Sequence, residues 1–172
     1  MAINVLSNRL SVASDATGLS HVAINAAFLL EIKDIHVELW GSLQEIRSMC
    51  RAVDQATHWQ FRLVMAFEEL RDLFAMHFAL EEGFGYFENP AFIDLDISRR
   101  ANELRSDHKA LYCEICEICE WIDEARFQGQ LSAKRSSVSL RFESFLDQFR
   151  IHESREQELI YDSFCNDLGT GD

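Results

Sequence analysis

Residues 70–84, LRDLFAMHFALEEGF, form an apolar-periodic stretch interrupted by His77 and Glu81. These two residues are four apart, so on an α-helix they share one face, a turn from each other. Leu63, Ala66, Leu70, Leu73, Phe74, Leu80 and Phe84 lie on the same stripe. The spacing predicts a helix over about 57–87, stopped near Asn89-Pro90 because the residue before proline disfavours the helical region. The pair recurs once, as His152 and Glu156 in HESRE. Imidazole and carboxylate together suit iron or zinc. Two helical pairs of this kind in one short chain point to a metal site.

Working outward, three more helical stripes appear. Residues 20–51 carry Ile32, His36, Trp40 and Leu43 on one face, after a possible Ser20 cap. Residues from Asp94 or Asp96 to about 125 carry Leu104, His108, Leu111, Tyr112, Ile115, Cys119 and Ile122. Residues 132–166 carry Val138, Phe142, Phe145, Phe149, His152, Glu156 and Leu159. Breaks at Asp54 to Thr57 and at Phe127 to Gln130 separate them. The expectation is an all-α chain, an antiparallel up-down four-helix bundle over residues 20–166. An irregular arm over 1–19 would precede it, and a frayed tail over 167–172 would follow.

Counted from the shared breaks, His36, His77, His108 and His152 fall at matching depth, one per helix. Four imidazoles and two carboxylates buried at one level are costly unless something pairs them. A pair of metal ions, capped by histidines and bridged by carboxylates, would do so.

Composition agrees with a folded helical domain. Of 172 residues, 48% are apolar, with one proline and seven glycines. The net charge of −13 argues against nucleic acid and anionic membrane surfaces as partners. No apolar run approaches the ~20 residues that a membrane span needs, and no secretory signal is apparent at the N-terminus. Five cysteines, an odd number, fit a reducing compartment, so the expected location is the cytoplasm.

The motifs narrow the metal chemistry. A His-Glu-x-x-His metalloprotease motif is absent, since position 156 is Glu. The Glu-x-x-His pattern of ferritin-like di-iron helices is absent too: the residues three before each histidine are Gly18, Lys33, Gln55, Phe74, Arg105 and Phe149. Histidine-rich ligation with few carboxylates points to iron that handles dioxygen, peroxide or nitric oxide. Zinc or manganese could fill the same ligands. Cys113-x-x-Cys116-x-x-Cys119 has iron–sulfur-like spacing, but it sits inside a predicted helix without a nearby fourth cysteine. Cys119 would face the core there and Cys113 the solvent.

His36, then His77 with Glu81 in HFALEE, then His108, then His152 with Glu156 in HESRE give an ordered set over about residues 20–165. In this order and helix assignment the chain resembles hemerythrin-like proteins, the His-His-Glu cation-binding family. The resemblance implies two iron ions with an oxo or hydroxo bridge in a four-helix bundle. It assigns His36 and His77 to one iron, His108 and His152 to the other, and Glu81 and Glu156 as bridges. The respiratory members carry a second histidine one turn before the one on the third helix, where this chain has Leu104. Fewer ligands leave more open positions, so turnover of peroxide or nitric oxide becomes as plausible as reversible oxygen binding.

The resulting expectation is a non-haem di-iron protein that binds or reduces a small diatomic or peroxide ligand, with possible catalase-like activity. The alternative is an iron-binding or oxygen-sensing module without turnover. Tyr112 stands four residues after His108, the offset of Glu81 from His77, and is the expected hydroxyl donor or ligand at the centre. Phe74, Phe84, Phe145 and Phe149 flank the histidines and would supply core and a dry pocket. Glu82 and Glu153 are expected on solvated faces.

Overall fold

A computed structural model describes residues 22–51, 58–88 and 94–169. The expected arm over 1–19, the break over 54–57 and the Asn89-Pro90 stop lie outside these residues. The described chain is predominantly helical. Its elements run β1 (Val22–Ile24), α1 (Ala26–Ile35), α2 (Val37–Arg51), α3 (Trp59–Leu80), β2 (Tyr86–Glu88), α4 (Leu95–Phe127) and α5 (Arg135–Gly169). A π-helical turn, Glu81–Gly85, joins α3 to β2.

Two segments depart from the periodicity. The helix expected over 20–51 is broken at His36, whose ψ of 35° is not helical, and it begins with a strand. Asn25 caps α1, its side chain accepting from the Phe28 amide at 3.2 Å. The helix expected to reach residue 87 gives way at Glu81. There the Tyr86 amide donates back to the Glu81 carbonyl, five residues away, and the chain leaves as β2. β2 pairs antiparallel with β1, Ile24 opposite Tyr86. Gly85 leaves room at this junction, where a Cβ would meet the Leu29 side chain at 2.2 Å and force it to shift. Asp94 caps α4, its side chain accepting from the Asp96 amide at 2.8 Å. It ends two residues before Gly129, whose φ of +68° suits glycine. α5 continues to Gly169, past the expected end at 166.

α2 packs on α3 and α5, α4 packs on the other sides of α3 and α5, and α1 lies against α5. Two apolar clusters result. The larger gathers Leu43, Ile46, Phe67, Phe74, Phe78, Leu111, Ile118, Phe142 and Phe149. The smaller gathers Val22, Leu29, Tyr86, Leu104 and Leu159. Along α4, His108 sits between Leu104 of one cluster and Leu111 of the other. Along α5, His152 and Glu156 sit between Phe149 and Leu159. The polar layer is therefore closed on both sides by hydrocarbon. No described helix is long and apolar enough to cross a membrane.

Candidate metal centre

His77, Glu81, His108, His152 and Glu156 are each at most 2% exposed. The four-residue spacing works as expected: His77 Nε2 lies 3.1 Å from Glu81 Oε1. Glu81 Oε2 lies 3.3 Å from His108 Nε2, on the neighbouring helix. These contacts are close but are not aligned as hydrogen bonds. Two ligands at right angles, each ~2.1 Å from one ion, would lie ~3.0 Å apart.

Eight buried side-chain atoms have no hydrogen-bond partner among the described residues. They are His77 Nε2, both Glu81 oxygens, His108 Nε2, both His152 nitrogens, Glu153 Oε1 and Glu156 Oε2. Buried polar atoms are rarely left unpaired, and a shared cation is the economical partner for one nitrogen of each ring and for the carboxylate oxygens, while His152 Nδ1 lies 3.8 Å from Asp107 Oδ2. Two donor groups could each hold a metal ion: Glu81, His108, His152 and Glu156, and His77, Glu81 and Glu153. Within each group the donor atoms lie within 4.8 Å of one another, and Glu81 belongs to both. The residues fit a metal by donor type, burial and spacing. Their chemistry suits iron, zinc or manganese.

Four positions differ from expectation. His36 is brought to the centre but is not gathered into either group. It sits partly exposed in the break between α1 and α2, its Nε2 2.7 Å from His77 Nδ1. With His77 Nδ1–H donating to it, His77 keeps the Nε2 lone pair for a metal. Glu153 faces inward. α1 covers that side of α5, and Lys33 donates to Glu153 Oε2 at 2.8 Å. Tyr112 does not touch the carboxylates. It is partly exposed on α4 with the Cys116 thiol as its neighbour. The tyrosine at the centre is Tyr86, whose hydroxyl donates to Glu156 Oε1 at 2.6 Å. Phe84, expected in the core, is 60% exposed, because the π turn carries it outward. The cysteines follow the helix: Cys113 is exposed and Cys119 buried.

Further groups orient the imidazoles. Glu82 Oε1 lies 3.1 Å from His108 Nδ1, so an Nδ1–H donated to it leaves Nε2 turned to Glu81. Phe78 stacks on His108, with centroids 4.5 Å apart and planes at 12°. Phe149 meets His77 edge-on and lies against His152. Two clefts flank α4. One, of about 300 Å³, is lined by Ala75, Ala79, Glu82, His108 and Tyr112. The other, of about 200 Å³, is lined by Asp107, Gln148, His152 and Arg155. Each reaches the edge of one imidazole.

The electrostatics follow from burial. Desolvation pulls His108 and His152 down to about 4, so both rings are neutral and ready to ligate near pH 7. Desolvation, reinforced by Glu156 and Glu153, holds the Glu81 carboxyl well above its ordinary range. Burial also works against an ionised Glu153, but His77 and Lys33 outweigh it and bring that carboxyl down to about 2. Burial lowers the Lys33 pKa, yet Glu156 and Glu153 more than compensate, and it remains a cation.

Compared with family models, with characterised proteins and with solved structures, the chain finds no match.

Proposed function

We propose that the chain is a hemerythrin-like protein: an up-down four-helix bundle, with α1 and α2 acting as one broken helix, that carries two iron ions. Its function on this reading is to bind or reduce a small oxidant such as dioxygen, peroxide or nitric oxide. The observation that carries it is Glu81, whose two oxygens turn to two different imidazoles, 3.1 and 3.3 Å away, at the shared corner of two donor groups.

His108, His152, Glu81 and Glu156 would hold one ion, and His77, Glu81 and Glu153 the other. Ferrous iron there would supply the electrons for reducing the oxidant. The chain's residues set the surroundings. Phe78 and Phe149 keep water from the imidazole faces. Tyr86 holds Glu156 Oε1 and presents the hydroxyl nearest the centre. The clefts beside α4 are wide enough to admit a diatomic molecule or peroxide.

Anaerobic loading with ferrous iron, followed by peroxide, tests this reading. It predicts about two irons per chain, near-ultraviolet oxo-bridge absorption, and peroxide loss above that of free iron. A folded protein that takes up no iron contradicts it. The eight unpaired buried atoms favour a second reading, iron sensing, because without a cation they destabilise this end of the molecule. In that case iron binds and raises the melting temperature, but peroxide is not consumed.

A further inference from the structure

The two buried carboxylates that the ions would meet are not equivalent. Glu81 has both oxygens unpaired. Glu156 differs: Oε1 accepts the Tyr86 hydroxyl at 2.6 Å, and Oε2, though not hydrogen-bonded, stands 2.8 Å from the Lys33 ammonium. Oε2 is out of line for a hydrogen bond with Nζ, so its lone pairs remain open to one ion. The same ammonium is 2.8 Å from Glu153 Oε2, and the Lys33 side chain is only 11% exposed. It reaches in from α1, on the side where His77 and Glu153 form the second donor group.

We propose that Lys33 is a built-in cation that makes the two metal positions unequal, standing against Glu156 and Glu153 where the second ion would otherwise share Glu156. Glu156 then serves only the ion held with His108 and His152. The position at His77, Glu81 and Glu153 fills second and more weakly. This rests on the two-ion reading above.

Charge count supports the order. Glu81, Glu153 and Glu156 bring three negative charges when ionised, and Lys33 cancels one. A first divalent ion cancels the other two. A second ion meets donor groups already neutral, with a fixed ammonium beside two of their carboxylates, in surroundings that screen poorly. The donor sets point the same way, since the first group offers two imidazoles and the second only His77.

The test is anaerobic calorimetric titration of the metal-free full chain with ferrous iron, with metal content measured after gel filtration. The wild type should bind in two steps, the second at least ~30-fold weaker and lost on the column. Lys33→Met should strengthen the second step by about tenfold or more and retain both ions, leaving only the gap that the unequal donor sets impose. Lys33→Arg keeps the charge and should keep two steps. Tyr86→Phe frees Glu156 Oε1 but leaves the ammonium, and should also keep them. A wild type that binds one ion, with two in Lys33→Met, is the limiting form of the effect and supports it. Equal steps in the wild type overturn the proposal, whether or not the Lys33→Met variant folds. So does an unchanged pattern in Lys33→Met of native helical content. Wild-type protein that binds no iron overturns the metal reading itself, and this inference with it.

Discussion

The same helices build two layers on opposite physical terms. In one, Leu43, Ile46, Phe67, Ile118 and Phe142 are fully or almost fully buried, and all are hydrocarbon. A few turns along, His77, Glu81, His108, His152 and Glu156 are buried just as deeply, and all are polar. The first layer gains stability simply by leaving water. The second loses hydration and leaves eight of its side-chain atoms without a hydrogen bond, so a counter-ion should stabilise it. Depth of burial alone therefore says little about what a layer contributes. The chemistry of what is buried decides whether the fold stands by itself or waits for a ligand.

The largest effect should come from the apolar layer. Phe142→Ala is expected to cost about 3–5 kcal/mol, equally with and without iron, as read by denaturant unfolding. A cost that depended on iron would break the separation of the layers. Gly85→Ala probes their junction. Its Cβ would strike Leu29, which is wholly buried, so about 1–3 kcal/mol should be lost. Because Gly85 closes the turn that begins at Glu81, this variant should also retain iron less well, as metal analysis would detect.

The pH response belongs to the polar layer. Glu81 has a raised pKa in the folded protein, so it holds its proton to higher pH than an ordinary carboxyl. Iron needs the carboxylate, so iron uptake should release that proton. Affinity should rise about tenfold per pH unit until the raised pKa is passed, then level off. The imidazoles of His108 and His152, at about 4, should add no proton release near pH 7. Calorimetry in two buffers of different ionisation enthalpy measures this, and iron uptake without proton release would contradict it. The smallest contrast is between the tyrosines. Tyr86→Phe should cost roughly 1 kcal/mol through its bond to Glu156. Tyr112→Phe should change stability by no more than ~0.5 kcal/mol and leave metal content alone.

The sequence exposed what a regular helix can expose. His77 with Glu81, and His152 with Glu156, were legible because four residues nearly complete a turn, and His108 because it shares a stripe with apolar neighbours. What depended on leaving the helix was not. Tyr86 reaches Glu156 only because the π turn ends α3 early, where periodicity ran on to residue 87. His36 meets His77 from a break in the helix rather than from its face. Glu153 is one residue past His152, about 100° around the helix, which reads as solvent-facing. α1 and Lys33 cover that side instead. A lysine on an acidic chain carries no signal of its own, and only the tertiary contact reveals it.

The most direct test of the metal centre is the melting temperature of the wild type and of Glu81→Gln, each with and without excess ferrous iron. Both donor groups contain Glu81, so iron should stabilise the wild type by about 2.7 kcal/mol at a hundredfold excess over Kd. Iron should stabilise Glu81→Gln far less, and the metal-free form of that variant should be at least as stable as the wild type, having lost a buried carboxyl that resists ionisation. Iron-indifferent melting of the wild type, or equal stabilisation of both proteins, would contradict the metal centre.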